Sequence, residues 1–180
     1  EPKMSKLMLK DVRLSFPSLF EHASYQGQSL DKYEATFLIP KDSDIAKEVQ
    51  AAVKEVGMEV LGKEWSKAKL CLLDGDTKDY DGYEGMWAIK ASTKKRPVII
   101  NKDKSAVTEE DGVVYAGCYV NASISIYAFQ NNYGKFVQAQ LNAVQFNRDG
   151  GAFGGGDSFS MDEFDDVSDG DDASDDDTPF

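Results

Sequence analysis

The segment YVNASISIYAF (residues 119–129) alternates without a break. Val120, Ala122, Ile124, Ile126 and Ala128 fall on one side, and Tyr119, Asn121, Ser123, Ser125, Tyr127 and Phe129 on the other. A period of two sends successive side chains to opposite faces of a strand, so this segment has one face fit for a core. The opposite face is no ordinary solvent face, because half of its six residues are aromatic. The turn QNNYGK (130–135) follows, with Gly134 available for positive φ, and FVQAQLNAVQF (136–146) resumes strand composition. The pair predicts an antiparallel hairpin whose outer face continues through Phe136, Gln138, Gln140 and Asn142.

Working back from the hairpin, MWAIKAST (86–93) and RPVII (96–100) are rich in strand formers, and the preceding DGDTKDYDGYEG (74–85) has loop composition. LMLKDVRLSF (7–16) ends in Val12, Leu14 and Phe16 with Arg13 and Ser15 opposite, predicting a strand that stops at Pro17. YEATFLI (33–39) puts Tyr33, Ala35, Phe37 and Ile39 on one face before Pro40 withholds the next donor. Between these strands, Ile45, Val49, Ala52, Val53, Val56 and Val60 recur at helical spacing behind Asp42 or Ser43 as cap. Gly57 is a weak point of that helix and Gly62 its stop. Five or six strands, one amphipathic helix and no βαβ rhythm predict a mainly β, OB-fold-like antiparallel barrel over residues 4–148. Met4 reads as the natural start, with Glu1, Pro2 and Lys3 outside the fold.

The net charge of −12 is concentrated at one end. Residues 149–180 hold 12 acids and no Lys or Arg, while the 148 residues before them balance 20 acids against 20 bases. Their glycines (150, 151, 154–156), aspartates and serines give too little apolar surface to offset ordering entropy, which predicts a Gly-rich linker and a disordered acidic tail. In the body, Lys90, Lys94, Lys95, Arg96, Lys102 and Lys104 crowd into fifteen residues with one acid, Asp103. Such a run suits a phosphate backbone, although lysines on a strand edge also serve simply to keep edges apart. Single-stranded bases stack on outward aromatic rings. Trp87 and Tyr115 flank the run, and Tyr119, Tyr127 and Phe129 lie on the polar side of their strand. With Arg13 and Lys102 they complete the expected DNA-binding set of Arg13, Trp87, Lys90, Lys94, Lys95, Arg96, Lys102, Tyr115, Tyr119, Tyr127 and Phe129. Each ring has packing under a loop as its plain alternative.

Other chemistries find little support. Cys71 and Cys118 stand far apart and His22 is the one histidine, so zinc lacks a ligand set. Aligning Gly82 with an EF-hand glycine puts Thr77 and Ala88 at the first and last ligand positions, which need carboxylates. No phosphate loop, nucleophile elbow or dinucleotide turn is present. The expectation is a non-enzymatic protein without metal or cofactor, reduced and cytosolic, with no apolar run of membrane-spanning length. The final stretch, Asp175, Asp176, Asp177, Thr178, Pro179 and Phe180, closes an acidic run on a large apolar residue. Charge and a ring together suit an apolar pocket beside an arginine on a partner protein, whereas a merely solubilising tail needs no ring.

These segments resemble known proteins. The acidic Pro179–Phe180 tip is similar to that of bacterial single-stranded DNA-binding proteins, with Thr178 where an apolar residue is usual. The body resembles a family of phage replicative single-stranded DNA-binding proteins once catalogued as a domain of unknown function. The likeness spans most of residues 7–156 through VRLSFPSLFE (12–21), FLIPK (37–41), KASTKKRPVI (90–99), YAGCYVNASISIYAF (115–129) and QLNAVQFNRDG (140–150). It implies an OB-fold core, sequence-independent binding of single strands during phage replication or recombination, partner recruitment by the tail, and no catalysis. Two other functions remain open on the sequence: an acidic DNA mimic that blocks a host enzyme, which leaves the basic run idle, and a single-strand annealing protein.

Overall fold

The computed structural model describes residues 4–153. Five long strands form the barrel: β1 (Met4–Ser18), β2 (Tyr33–Pro40), β3 (Met86–Thr93), β4 (Tyr119–Asn131) and β5 (Gly134–Arg148). β1 pairs antiparallel with both β2 and β4, β2 with β3, and β4 with β5. A parallel contact between β3 and β5, Ala91 beside Ala139 and Ser92 beside Gln140, closes the ring. The circular order β1–β2–β3–β5–β4 is that of an OB-fold. Short strands Lys69–Leu70, Leu72–Asp74 and Val98–Ile100 fill in around β3 and β5, and a two-rung hairpin, Ser24–Tyr25 with Gln28–Ser29, decorates the β1–β2 loop.

The alternation in β4 does what its period requires. Val120, Ala122, Ile124, Ile126 and Ala128 all point inward and are at most 2% exposed. They meet Leu9, Val12 and Leu14 of β1, Phe37 and Ile39 of β2, Ile89 of β3, and Val137, Leu141 and Val144 of β5. Each fully buried Leu, Ile or Phe contributes about 1.5–3 kcal/mol relative to exposure, so this continuous core is the main source of stability. The helix α1 (Asp44–Leu61) lies between β2 and β3 in the chain and buries Ala46, Val49, Val53 and Val56 in the same core. Ser43 is its N-cap, its Oγ accepting from the Ala46 amide at 3.2 Å. Both cysteines are free and buried in the core, and desolvation pushes the Cys71 thiol up to about 12. Among the described residues, no helix is long and apolar enough to cross a membrane.

Three details depart from the periodic reading. Phe16 leaves the Val12–Leu14 face: its φ is 47°, the β1–β2 register shifts between Ser15 and Ser18, and the strand runs through Pro17 to Ser18. The ring therefore joins a second, smaller cluster with Leu38, Tyr83 and Ala88 on the outer side of the sheet. Val60 is exposed, while its neighbour Leu61 is the residue of the last turn that packs against the core. Gly57 itself is no mere weak point, since a Cβ there would stand 2.9 Å from Trp65 Cβ. Its missing side chain is what lets Trp65 pack against the helix.

Candidate nucleic-acid interface

The outer face of β2 and β3 carries the cross-strand pairs Glu34–Ser92, Thr36–Lys90 and Leu38–Ala88. Two loops rise beside it. The β1–β2 loop supplies Phe20, His22 and Tyr25; the loop 75–85 supplies Lys78, Tyr80 and Tyr83. Together they enclose a groove of about 900 Å³ that Phe16 and Tyr115 also line. Tyr83 is buried, and its hydroxyl meets Ser15 Oγ at 2.7 Å, which anchors the second wall to β1. Desolvation, only partly offset by that bond, raises the Tyr83 hydroxyl above its ordinary value. At the base of the same loop Lys41 Nζ donates to Asp74 at 2.5 Å and to Asp76 at 2.6 Å, while the Gly85 amide donates to Asp76. Hydrogen bonding to Lys41 holds both carboxyls below their usual range and holds the Lys41 ammonium above its own.

Within the groove, Tyr25 is 66% exposed and Tyr80 53%, with Tyr80 also meeting the Phe16 and Tyr83 rings at centroid distances of 5.0 and 5.1 Å. The charge of the lining is mixed, Lys78 and Lys90 standing against Glu21, Glu34 and Glu109. Positive charge comes from the rim. Lys94, Lys95 and Arg96 are exposed just past the end of β3, with the Arg96 guanidinium 5.7 Å from the Tyr33 ring. Tyr33 in turn takes His22 edge-on at 4.8 Å. The basic run and the β1–β2 loop are thus neighbours.

The other expected residues fall into separate places. Arg13 and Tyr119 hold the chain leaving β5. Arg13 Nη2 donates to the Gly151 carbonyl at 2.6 Å and its guanidinium lies 4.1 Å from the Phe153 ring, while Arg148 sits 3.7 Å over Tyr119 and pairs with Asp11. Tyr115 lines the groove and also donates to Asp149 at 2.8 Å. Residues 149–153, which the sequence places at the start of a linker, therefore pack on the body. A Cβ on Gly117 would lie 2.2 Å from the Gly151 carbonyl, so the two segments pass closely only because that residue is glycine. Phe153 then rests in the small cluster beside the groove.

Tyr127 and Phe129 lie on the outer face of the β4–β5 hairpin. They form a near-parallel series with Phe136, with centroids 5.9 and 5.0 Å apart. Below them Asn142 donates to Ser123 and Ser125. β2 hydrogen-bonds to neither hairpin strand, so this face is distinct from the groove. Trp87 does not flank the basic run in space. It stands at the opposite end of β3 from Lys94, opposite Ile39, packed against the core with Lys41 Nζ 5.0 Å from its ring. Lys102 lies in the turn after Val98–Ile100, its carbonyl accepting from Gln145. Phe20, Tyr25, Lys78 and Tyr80 were not singled out by the sequence, since non-periodic loops carry no pattern to mark them. The expected partner-binding residues Asp175, Asp176, Asp177, Pro179 and Phe180 lie outside the described residues. Among the described residues, no group of three or more His, Cys, Asp or Glu side chains is placed to hold a metal ion.

Comparison with known proteins bears on this geometry. A family described as "Enterobacter phage Enc34, ssDNA-binding protein" matches residues 5–177. The putative protein p50 of Acyrthosiphon pisum secondary endosymbiont phage 1 is 44% identical over 178 residues, covering 91% of this chain and 94% of that protein. The structure of the bacteriophage Enc34 single-stranded DNA-binding protein in complex with ssDNA superimposes with a TM-score of 0.72 at 26% identity, over 83% of this chain and 89% of that one. The bacteriophage T7 single-stranded DNA-binding protein gp2.5 shares the fold, with a TM-score of 0.55 at 16% identity over 97% and 100% of the chains. The matching family and these two solved structures are all described as single-stranded DNA-binding proteins.

Proposed function

The chain belongs to the family of the Enterobacter phage Enc34 single-stranded DNA-binding protein, and we propose that it binds and protects single-stranded DNA of any sequence during phage replication or recombination. The strand lies along the groove over β2 and β3. Exposed Tyr25 and Tyr80 stack bases, Lys90 and the Lys94–Arg96 rim take phosphates, and Tyr115 closes one wall. The observation that carries this is the joining of open aromatic rings and a cationic rim on the OB-fold face that oligonucleotides commonly use. A duplex hides its base faces, so stacking selects single strands.

The acidic tail has two roles in this proposal. Phe153 leaves the body beside the groove, so the tail starts where the strand binds. A Gly-rich tether of the remaining length reaches roughly 30 Å, enough to bring its carboxylates over the rim at a local concentration on the order of millimolar. It competes with DNA there, and the strand, once bound, frees Asp175–Asp177, Pro179 and Phe180 to recruit replication or recombination proteins in the host cytoplasm. The decisive experiment is fluorescence anisotropy with single-stranded and duplex oligonucleotides of equal length across a salt series. A strong preference for the single strand with a steep salt slope is expected. Equal or absent binding of both overturns the proposal and favours a DNA mimic.

A further inference from the structure

The chain leaving β5 meets one wall of the groove. Three bonds fix it on the body: Tyr115 Oη donates to Asp149 at 2.8 Å, Arg13 Nη2 to the Gly151 carbonyl at 2.6 Å, and the Phe153 amide to the Ala116 carbonyl at 3.0 Å. This strap, residues 149–153, delivers the Phe153 ring to the loop 75–85. There the chain makes a tight turn from Tyr80 to Tyr83, the Tyr83 amide donating to the Tyr80 carbonyl at 3.3 Å. The third residue of the turn, Gly82, has a φ of 85°, a value that glycine adopts without strain at this position. Gly82 also leaves the seat for the ring, since a Cβ on it would stand 2.6 Å from Phe153 Cζ. The Arg13 guanidinium, 4.1 Å from the ring centroid, holds the ring there.

Tyr80 depends on that turn. Its ring leans on Phe16 and Tyr83, and Tyr83, with Leu38 and Ala88, forms the small cluster into which Phe153 packs. The loop is thus pinned at three places: at its base by Lys41, at Tyr83 by Ser15, and at Gly82 by Phe153. Only the last of these pins comes from beyond the barrel strands. We propose that Phe153 is a positioning residue for single-strand binding: it holds the Tyr80–Tyr83 turn so that Tyr80 meets a base in a fixed orientation, without touching DNA itself. This rests on the groove being the single-strand site. A ring already held in place loses less conformational entropy when a base stacks on it, so the support shows as affinity. On this reading the DNA-binding unit ends at Phe153 rather than at Arg148, the last residue of β5.

The test is a double-mutant cycle on the full chain, read by anisotropy with a labelled oligo(dT) well below the melting midpoint of every variant. Tyr80→Ala removes the platform and Phe153→Ala its support. The three bonds to the strap use no atom of the Phe153 side chain, so the strap stays in place. Phe153→Ala is expected to weaken binding about fivefold, the low end of what one stacked ring contributes. The salt slope should stay unchanged, because no phosphate contact is lost. In the Tyr80→Ala background the same change should cost nothing further, since a support has no role once its platform is gone. If Phe153→Ala does not fold, Phe153→Leu takes its place in the cycle, with a smaller loss and the same non-additivity expected. Full affinity in the Phe153 variant overturns the positioning role and leaves the proposed function intact. An equal loss on both backgrounds does the same, because Phe153 would then act apart from Tyr80. Undiminished binding by Tyr80→Ala overturns Tyr80 as a stacking platform in the proposed function, and this inference with it.

Discussion

Two surfaces of this barrel offer aromatic rings, and they do so differently. On the β4–β5 hairpin, Tyr127, Phe129 and Phe136 stack in a near-parallel series, so each ring covers part of its neighbour's face. Burial raises the Tyr127 hydroxyl above its ordinary value, as expected of a ring already withdrawn from water. In the β2–β3 groove the rings come from loops: Tyr25 is largely exposed, and Tyr80, although it meets Phe16 and Tyr83 with centroids 5.0 and 5.1 Å apart, remains more than half exposed. Aromatic composition alone does not make a base platform. A base platform needs exposed ring surface and a nearby charge to hold the phosphate, and the groove offers the more exposed rings.

The largest effect should come from the rim. Changing Lys94, Lys95 and Arg96 together to Ala should weaken every single-stranded sequence alike and flatten the salt slope by roughly 2, at about 0.7 per phosphate contact. Unchanged salt dependence would place the phosphates elsewhere and break the contrast. Next, Tyr25→Ala and Tyr80→Ala should each cost about 1–3 kcal/mol of single-strand affinity with little change in melting temperature. Phe129→Ala should behave inversely, losing roughly 0.5–1.5 kcal/mol or more of stability from its ring pairs while sparing DNA binding. Reversal of that pattern would make the hairpin the platform. A smaller change is expected on truncating the chain after Gly156: tighter single-strand binding at low salt, with the advantage shrinking as salt rises. Weaker binding would instead put the tail inside the site.

The smallest effect concerns the wall of the groove. Asp74 and Asp76 have depressed pKa values through Lys41, so their contribution to the loop is complete above the ordinary carboxylate value of 3.8 and is lost as pH falls through the depressed ones. The Lys41 value is raised above 10.5, so its share is lost only as pH climbs through that raised value. The amide shift of Gly85, which donates to Asp76, should titrate with a midpoint below 3.8, and Lys41→Met should move the midpoint upward. No movement would mean that Lys41 does not organise this wall.

Much of the barrel was legible because its strands are periodic. The inward set of β4 is the apolar half of YVNASISIYAF, and MWAIKAST coincides with β3 from Met86 to Thr93. The basic run was visible as composition, and its rim position follows from Lys94–Arg96 standing just past a strand end. Phe16 misled because a positive φ and a register shift break the alternation at a point that nothing in VRLSF marks. Trp87 stands away from Lys94–Arg96 because closeness in sequence along an extended strand becomes distance in space, about 3.3 Å per residue. Tyr25 and Tyr80 stand on irregular loops, and loop geometry has no period to read.

Photocrosslinking tests the choice between the two surfaces most directly. A short oligo(dT) carrying 5-iodouracil should be irradiated on the full-length protein and the adducts mapped by mass spectrometry. Adducts are predicted on Tyr25, Tyr80 and Phe20, with Tyr127, Phe129 and Phe136 unlabelled. Labelling confined to Tyr127, Phe129 or Phe136 would contradict the account and move the DNA to the β4–β5 face.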